Sequence, residues 1–148
     1  MARTKNAPKL TTEQRKVLNT VIRWLAAGAP HTKTGFDFDM SRGIAKYGDT
    51  EPGDCGTSCC IAGAAVAFAE PRLFKDMLLD LRPDSDDWEE AAWPDISYRA
   101  REILGLNRHQ AKAIFHMRTN DPHAAAAALR NFRDRGDLPE YDDTHQVY

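Results

Sequence analysis

Cysteine is scarce in this chain: three residues, all within the six positions from Cys55 to Cys60. Thiols so few and so close exclude a disulfide-stapled scaffold, and the 148 residues do not need one. A chain of that length buries about 68–70% of its unfolded surface, enough for a core without covalent help. Long apolar runs are also missing. The basic "MARTKNAPKL" leads into an amphipathic segment, so neither a signal peptide nor a membrane span is expected. With an odd cysteine count, that points to a reducing cytoplasm. Charge of one sign is absent: 20 Lys and Arg face 22 Asp and Glu, a net −2, and bulk charge selects no partner. The P-loop pattern GxxxxGK[ST], EF-hand spacing and internal repeats are not found either. Extended alternation is confined to Phe36, Phe38 and Met40 in "FDFDM", enough for a short β element near 36–40 and no more.

What is present is helical punctuation. Thr11 with Gln14 forms a capping-box pattern ahead of Val17, Leu18, Val21, Ile22, Trp24 and Leu25, and Gly28 and Pro30 stop that helix. Residues 31–53 read as loop. A small-residue helix over about 58–69 follows, capped by Thr57 or Ser58. Pro71 opens another helix with Leu73, Phe74, Met77, Leu78 and Leu81 on one stripe. A helix from about Asp95 ends at Gly105, Asn107 with Gln110 caps the next, and Asp121-Pro122 opens a last one closed by Gly136. The expected fold is all-α: a compact bundle of five or six helices around the 58–69 helix. Residues 1–136 form one domain, and 137–148 an acidic tail read as mobile.

The segment "DCGTSCCIAGAAVAF" (Asp54–Phe68) admits several readings. As plain structure it is a helix apolar on all sides and therefore buried, with Cys59 and Cys60 packed as small hydrophobes and Gly63 placed for close approach. As chemistry, Cys55 before the helix and Cys59 in its first turn would be thiolates stabilised by free N–H groups, with His116 a candidate base. "CGTSCC" is similar in outline to the "CGSCW" of papain-like proteases, with one residue too many. Cys55-x3-Cys59 has no answering Cys or His pair, so no metal is assigned, and no cofactor. Asp54, Cys55, Gly56, Thr57 and Ser58 at a helix start would receive a small anionic ligand of nucleotide type.

Charge is unevenly spread. "RAREILGLNRHQAKAIFHMR" reads as helix, tight turn, helix with basic arms, and Arg108, Lys112 and Arg118 are the candidates for DNA contact in a helix-turn-helix. In the acidic connector "RPDSDDWEEAAWPD", Trp88 and Trp93 either fold onto the core or anchor a basic protein partner.

"FDFDM", "CGTSCCIAGAA" and "ILGLNRHQAKAIF" together resemble a loosely defined set of small bacterial and phage proteins. Those share a Phe-Asp-Met element, a CGTxxCIAG helix and a Leu-Gly-Leu turn before a helix ending in Phe. The likeness runs from Phe36 to Pro139, including "AAAALRNFRDRGDLP". It implies a phage or bacterial cytoplasmic origin and no established activity; Cys60 and Ala64 fall at its variable positions. The expected function is that of an accessory protein binding a host or bacterial protein or a small nucleotide, without turnover. The alternatives are a cysteine-dependent enzyme and a DNA-binding protein.

Overall fold

The computed structural model describes residues 6–47, 57–83 and 87–142. Among them the helices are α1 (Thr12–Ala26), α2 (His31–Thr34), α3 (Ile61–Ala69), α4 (Pro71–Leu79), α5 (Trp93–Leu104), α6 (Arg108–Phe115) and α7 (Pro122–Arg135). The strands are β1 (Asp37–Phe38), β2 (Ile44–Tyr47), β3 (Thr57–Cys59) and β4 (Trp88–Glu90). None of these helices is long and apolar enough to cross a membrane.

The caps fall where local chemistry put them. Thr11 accepts from the Gln14 N–H while the Gln14 side chain accepts from the Thr11 N–H, and Asn107 and Gln110 repeat that exchange. Asp121 accepts from the N–H groups of His123 and Ala124, and Pro71 stands at the first turn of α4. Gly105 and Gly136 close α5 and α7 in the left-handed region. Replacing Asn107 by alanine strips the side-chain acceptor of the Gln110 N–H from the start of α6. The expected loss is about 1 kcal/mol, read as a lower urea midpoint with an unchanged slope.

The all-α expectation is corrected. The chain builds a four-stranded sheet in the order β1-β3-β2-β4, with β1 parallel to β3 and β2 antiparallel to both β3 and β4. The 36–40 element is its edge strand β1, and the stretch from His31 read as loop also holds α2 and β2. Residues 57–59 do not start a helix. They are β3, and α3 begins at Ile61 with Cys60 as its N-cap. Ser58 lies against Asp37 on one side and Ala45 on the other, and Cys59 against Phe38 and Ile44. Backbone pairing with two neighbours outweighs the weak helical preference of Thr, Ser and Cys.

Helix α3 then packs against α1, α4, α5 and α6. Its residues Ile61 to Val66 are all buried. Gly63 is the point of closest approach: a Cβ there would lie 2.1 Å from the Gly43 carbonyl oxygen, which accepts from the Cys60 N–H at 3.2 Å. An aromatic cluster fixes the other side. Trp24 of α1 meets Phe36, Phe38 and Phe68 at centroid distances of 4.9, 6.1 and 5.9 Å, and Phe36 meets Phe74 at 5.4 Å. The tail expected to be mobile from 137 onward is held as far as Asp142. Leu138 packs on the core, the Arg118 N–H donates to the Glu140 carbonyl, and Met117 bridges to Tyr141.

Candidate functional site

The site is built outward from "FDFDM". With Phe36 and Phe38 seated against Trp24, the chain leaves β1 at Asp39, whose N–H donates to the Cys59 carbonyl at 3.0 Å. The Asp39 carboxylate then accepts from both the N–H and the hydroxyl of Ser41, at 2.9 and 2.6 Å. The Met40 N–H donates to the side chain of Asn120, 80 positions on, at 2.7 Å. The Gly43 N–H donates to Glu90 at the end of β4 at 3.3 Å. The N–H groups of Asp39, Met40 and Gly43 are therefore tied to three different elements, while those of Ser41 and Arg42 close on Asp39.

Trp93 begins α5 beside it. A Cβ on Gly43 would lie 3.0 Å from the Trp93 ring, so glycine is what lets the indole rest there. Trp93 also meets Phe115 edge to face at 6.3 Å and His116 at 5.5 Å. His116 ends α6, and its carbonyl accepts from the Asp142 N–H at 2.9 Å. Arg118 lies exposed beyond it, its Nε donating to the Tyr141 carbonyl at 3.1 Å.

Together these segments enclose a cleft of about 780 Å³. Asp39, Met40 and Ser41 form one wall, Glu90 and Trp93 a second, and His116, Arg118 and Asn120 a third, with Phe115 and Asp142 completing it. That volume suits a drug-sized ligand, and the mixture of apolar wall and converging polar groups is that of a binding pocket. A second, shallower groove of about 440 Å³ lies between α4 and α5, beside Leu73, Met77 and Tyr98.

Three residues assigned to separate hypotheses meet here: Trp93 as a partner anchor, His116 as a base and Arg118 as a DNA contact. Their former companions do not join them. Trp88 is in β4, its ring tilted against Tyr47 at 5.2 Å with the Arg42 guanidinium 4.1 Å from its centroid. The two tryptophans thus do not share the cleft. Arg108 is exposed at the start of α6, and Lys112 lies over Tyr141 at 6.0 Å. Half of α6 is buried through Ala111, Ala113, Ile114 and Phe115, and Arg118 follows its end. The three basic residues therefore do not line one face of a recognition helix.

The cysteine segment is corrected in part. Asp54, Cys55 and Gly56 lie outside the described residues. Thr57 and Ser58 belong to a strand, so the helix-start geometry that motivated an anion site is not theirs. Cys59 is a strand residue with no exposure; burial, then Cys60 and Asp37, push its thiol well above the ordinary value. Cys60 does sit at the helix start. Burial raises its thiol from about 9 to about 11, against the opposing pull of the Gly63 and Ala62 amides. Desolvation outweighs the helix terminus there.

The sign of that shift fixes a pH dependence. Between about pH 9 and 11 the folded chain keeps a proton that the unfolded chain releases, so stability is intact below pH 9 and falls as pH rises to 11. The expected loss from Cys60 is about 2–3 kcal/mol. Urea titrations at pH 8.5 and 11 should show Cys60→Ala losing less than the parent by that amount.

Asp39, Ser41, Glu90, Asn120 and Asp142 were not singled out as site residues. The Phe-Asp-Met element did point to Asp39 and Met40 by position. For Glu90, Asn120 and Asp142 no local signal exists, because their place depends on chain pairing. Comparison with protein-family models, with curated proteins and with solved structures finds no match.

Proposed function

We propose that this chain acts by binding, and that its ligand is received in the cleft between the β1–β2 turn, the start of α5 and the α6–α7 connection. The observation that carries this reading is the convergence of Asp39, Trp93, His116 and Arg118 from distant parts of the sequence on one 780 Å³ cleft. The turn that bears Asp39 is braced by bonds to β3, β4 and the α6–α7 connection, which lowers the ordering cost of binding. Burial of Cys59 and Cys60, which raises both thiols, argues against thiol chemistry at those two positions. The three motifs of the bacterial and phage resemblance also meet around this place. "FDFDM" supplies Asp39 and Met40, the CIAG helix positions Gly43 through Gly63, and the helix ending in Phe supplies Phe115 and His116. On that resemblance the protein is an accessory factor of phage or bacterial cytoplasm.

The test is a chemical-shift map of the labelled full chain titrated with nucleosides, amino acids and simple sugars. Perturbations gathered at residues 39–43, Trp93 and 116–120 are expected. Perturbations gathered at Leu73, Met77 and Tyr98 would move the site to the α4–α5 groove and overturn the reading.

A further inference from the structure

The charge around the cleft narrows what it can hold. Among the described residues the wall carries three carboxylates, Asp39, Glu90 and Asp142, which arrive from the β1–β2 turn, from β4 and from the segment after α7. The opposing charges are Arg118 and Arg42, the latter paired with Asp39 at 3.7 Å, with His116 as a further nitrogen base. The balance remains negative by one charge, which favours a cation over a phosphate, and Glu90 is the carboxylate best placed to receive it. Two of the carboxylates are held in place. Asp39 is oriented by Ser41, and Glu90 accepts from the Gly43 N–H through one oxygen, leaving the other without a hydrogen bond among the described residues.

The aromatic wall adds a second attraction. Indole faces bind cations better than other aromatic rings do, and a planar guanidinium can stack on them while its edge pairs with carboxylates. The molecule already uses this combination beside the cleft. The Arg42 guanidinium lies 4.1 Å above the Trp88 ring, and its Nε is 3.7 Å from the second oxygen of Asp39. Trp93 and the second oxygen of Glu90 offer an external ligand the same pair of partners, an indole and a carboxylate.

We infer that the cleft recognises a guanidinium group, either on a free small molecule or on an arginine of a partner protein. The inference rests on the binding role of the cleft proposed above and specifies its ligand. For this cleft it specifies a cationic ligand, distinct from the nucleotide-type ligand expected at residues 54–58.

Calorimetric titration of the full chain with N-acetyl-arginine amide, its lysine counterpart, AMP and a short arginine-rich peptide tests it. The arginine compound should bind, the lysine compound roughly fivefold or more weaker, since an ammonium cannot pair in a fork. AMP should give no heat. Glu90→Gln keeps an acceptor for Gly43 and removes the charge, so it should fold as the parent does and bind the arginine compound roughly five- to tenfold more weakly. Trp93→Phe should weaken it by a smaller factor, and Arg130→Ala, exposed on α7, should leave it unchanged. A peptide bound far more tightly than the amide identifies a protein partner, and equal affinity identifies a free ligand; both support the assignment. Binding of AMP with shifts at the cleft, and none of the arginine compound, would overturn the guanidinium assignment and leave the cleft as the binding site. Binding of neither would overturn both.

Discussion

Gly63→Ala should lower the stability of this protein by about 3 kcal/mol, although alanine is the better helix former by about 1 kcal/mol. The added Cβ would stand 2.1 Å from the Gly43 carbonyl oxygen, 2.6 Å from the Cys59 Cβ and 3.0 Å from Ile44 Cγ1. Two of those contacts are too short to survive, and one is to backbone. Either α3 moves off the sheet or the Cys60-to-Gly43 hydrogen bond breaks, and a lost buried bond alone costs about 1 kcal/mol or more. For a chain of this size each kcal/mol corresponds to about 2–4 °C, so the melting temperature should fall by about 6–12 °C. The displacement would also reach the site, because Gly43 carries Trp93. Thermal unfolding followed by circular dichroism gives the answer. An unchanged or higher melting temperature would mean that α3 does not press against the β2 start.

The second large effect is expected at Phe115→Ala. The ring is 1% exposed, closes α6 against the core and meets Trp93 edge to face. Truncation removes its burial and leaves a cavity, at a cost of about 3–5 kcal/mol. Because the same ring lines the cleft, ligand binding should weaken together with stability. Phe115→Leu should recover most of the stability while still disturbing the Trp93 contact. The pair separates packing from recognition: if Phe115→Leu binds as the parent does, the ring serves the core alone.

How much of this was legible depends on how local the controlling physics is. The caps at Thr11, Asn107 and Asp121, the stops at Gly105 and Gly136 and the start at Pro71 are decided within three or four residues, so they can be read directly. The close approach at Gly63 was also foreseeable, since a glycine within a helix otherwise buried on all sides calls for a neighbouring backbone. The strands were not. Segments of two to four residues are too short to display a period, and Thr57-Ser58-Cys59 becomes a strand only because β1 and β2 flank it. The same limit applied to the site. Trp93, His116 and Arg118 were each noticed and were divided among three functions, for nothing in the 24 positions between Trp93 and Arg118 says that they share a cleft. Asn120 acts at the same distance, its side chain accepting from the Met40 N–H 80 positions away.

By itself, then, the sequence determined the six longer helices, their ends apart from the start of α3, and the burial of the 61–66 segment, because hydrogen-bond satisfaction at helix termini and helical periodicity are short-range effects. Only the tertiary structure decided the sheet, the burial that outweighs the helix terminus at Cys60, and the acidic, indole-walled cleft. Those depend on desolvation and on contacts between residues as far apart as Asp39 and Asp142, which no window along the chain contains.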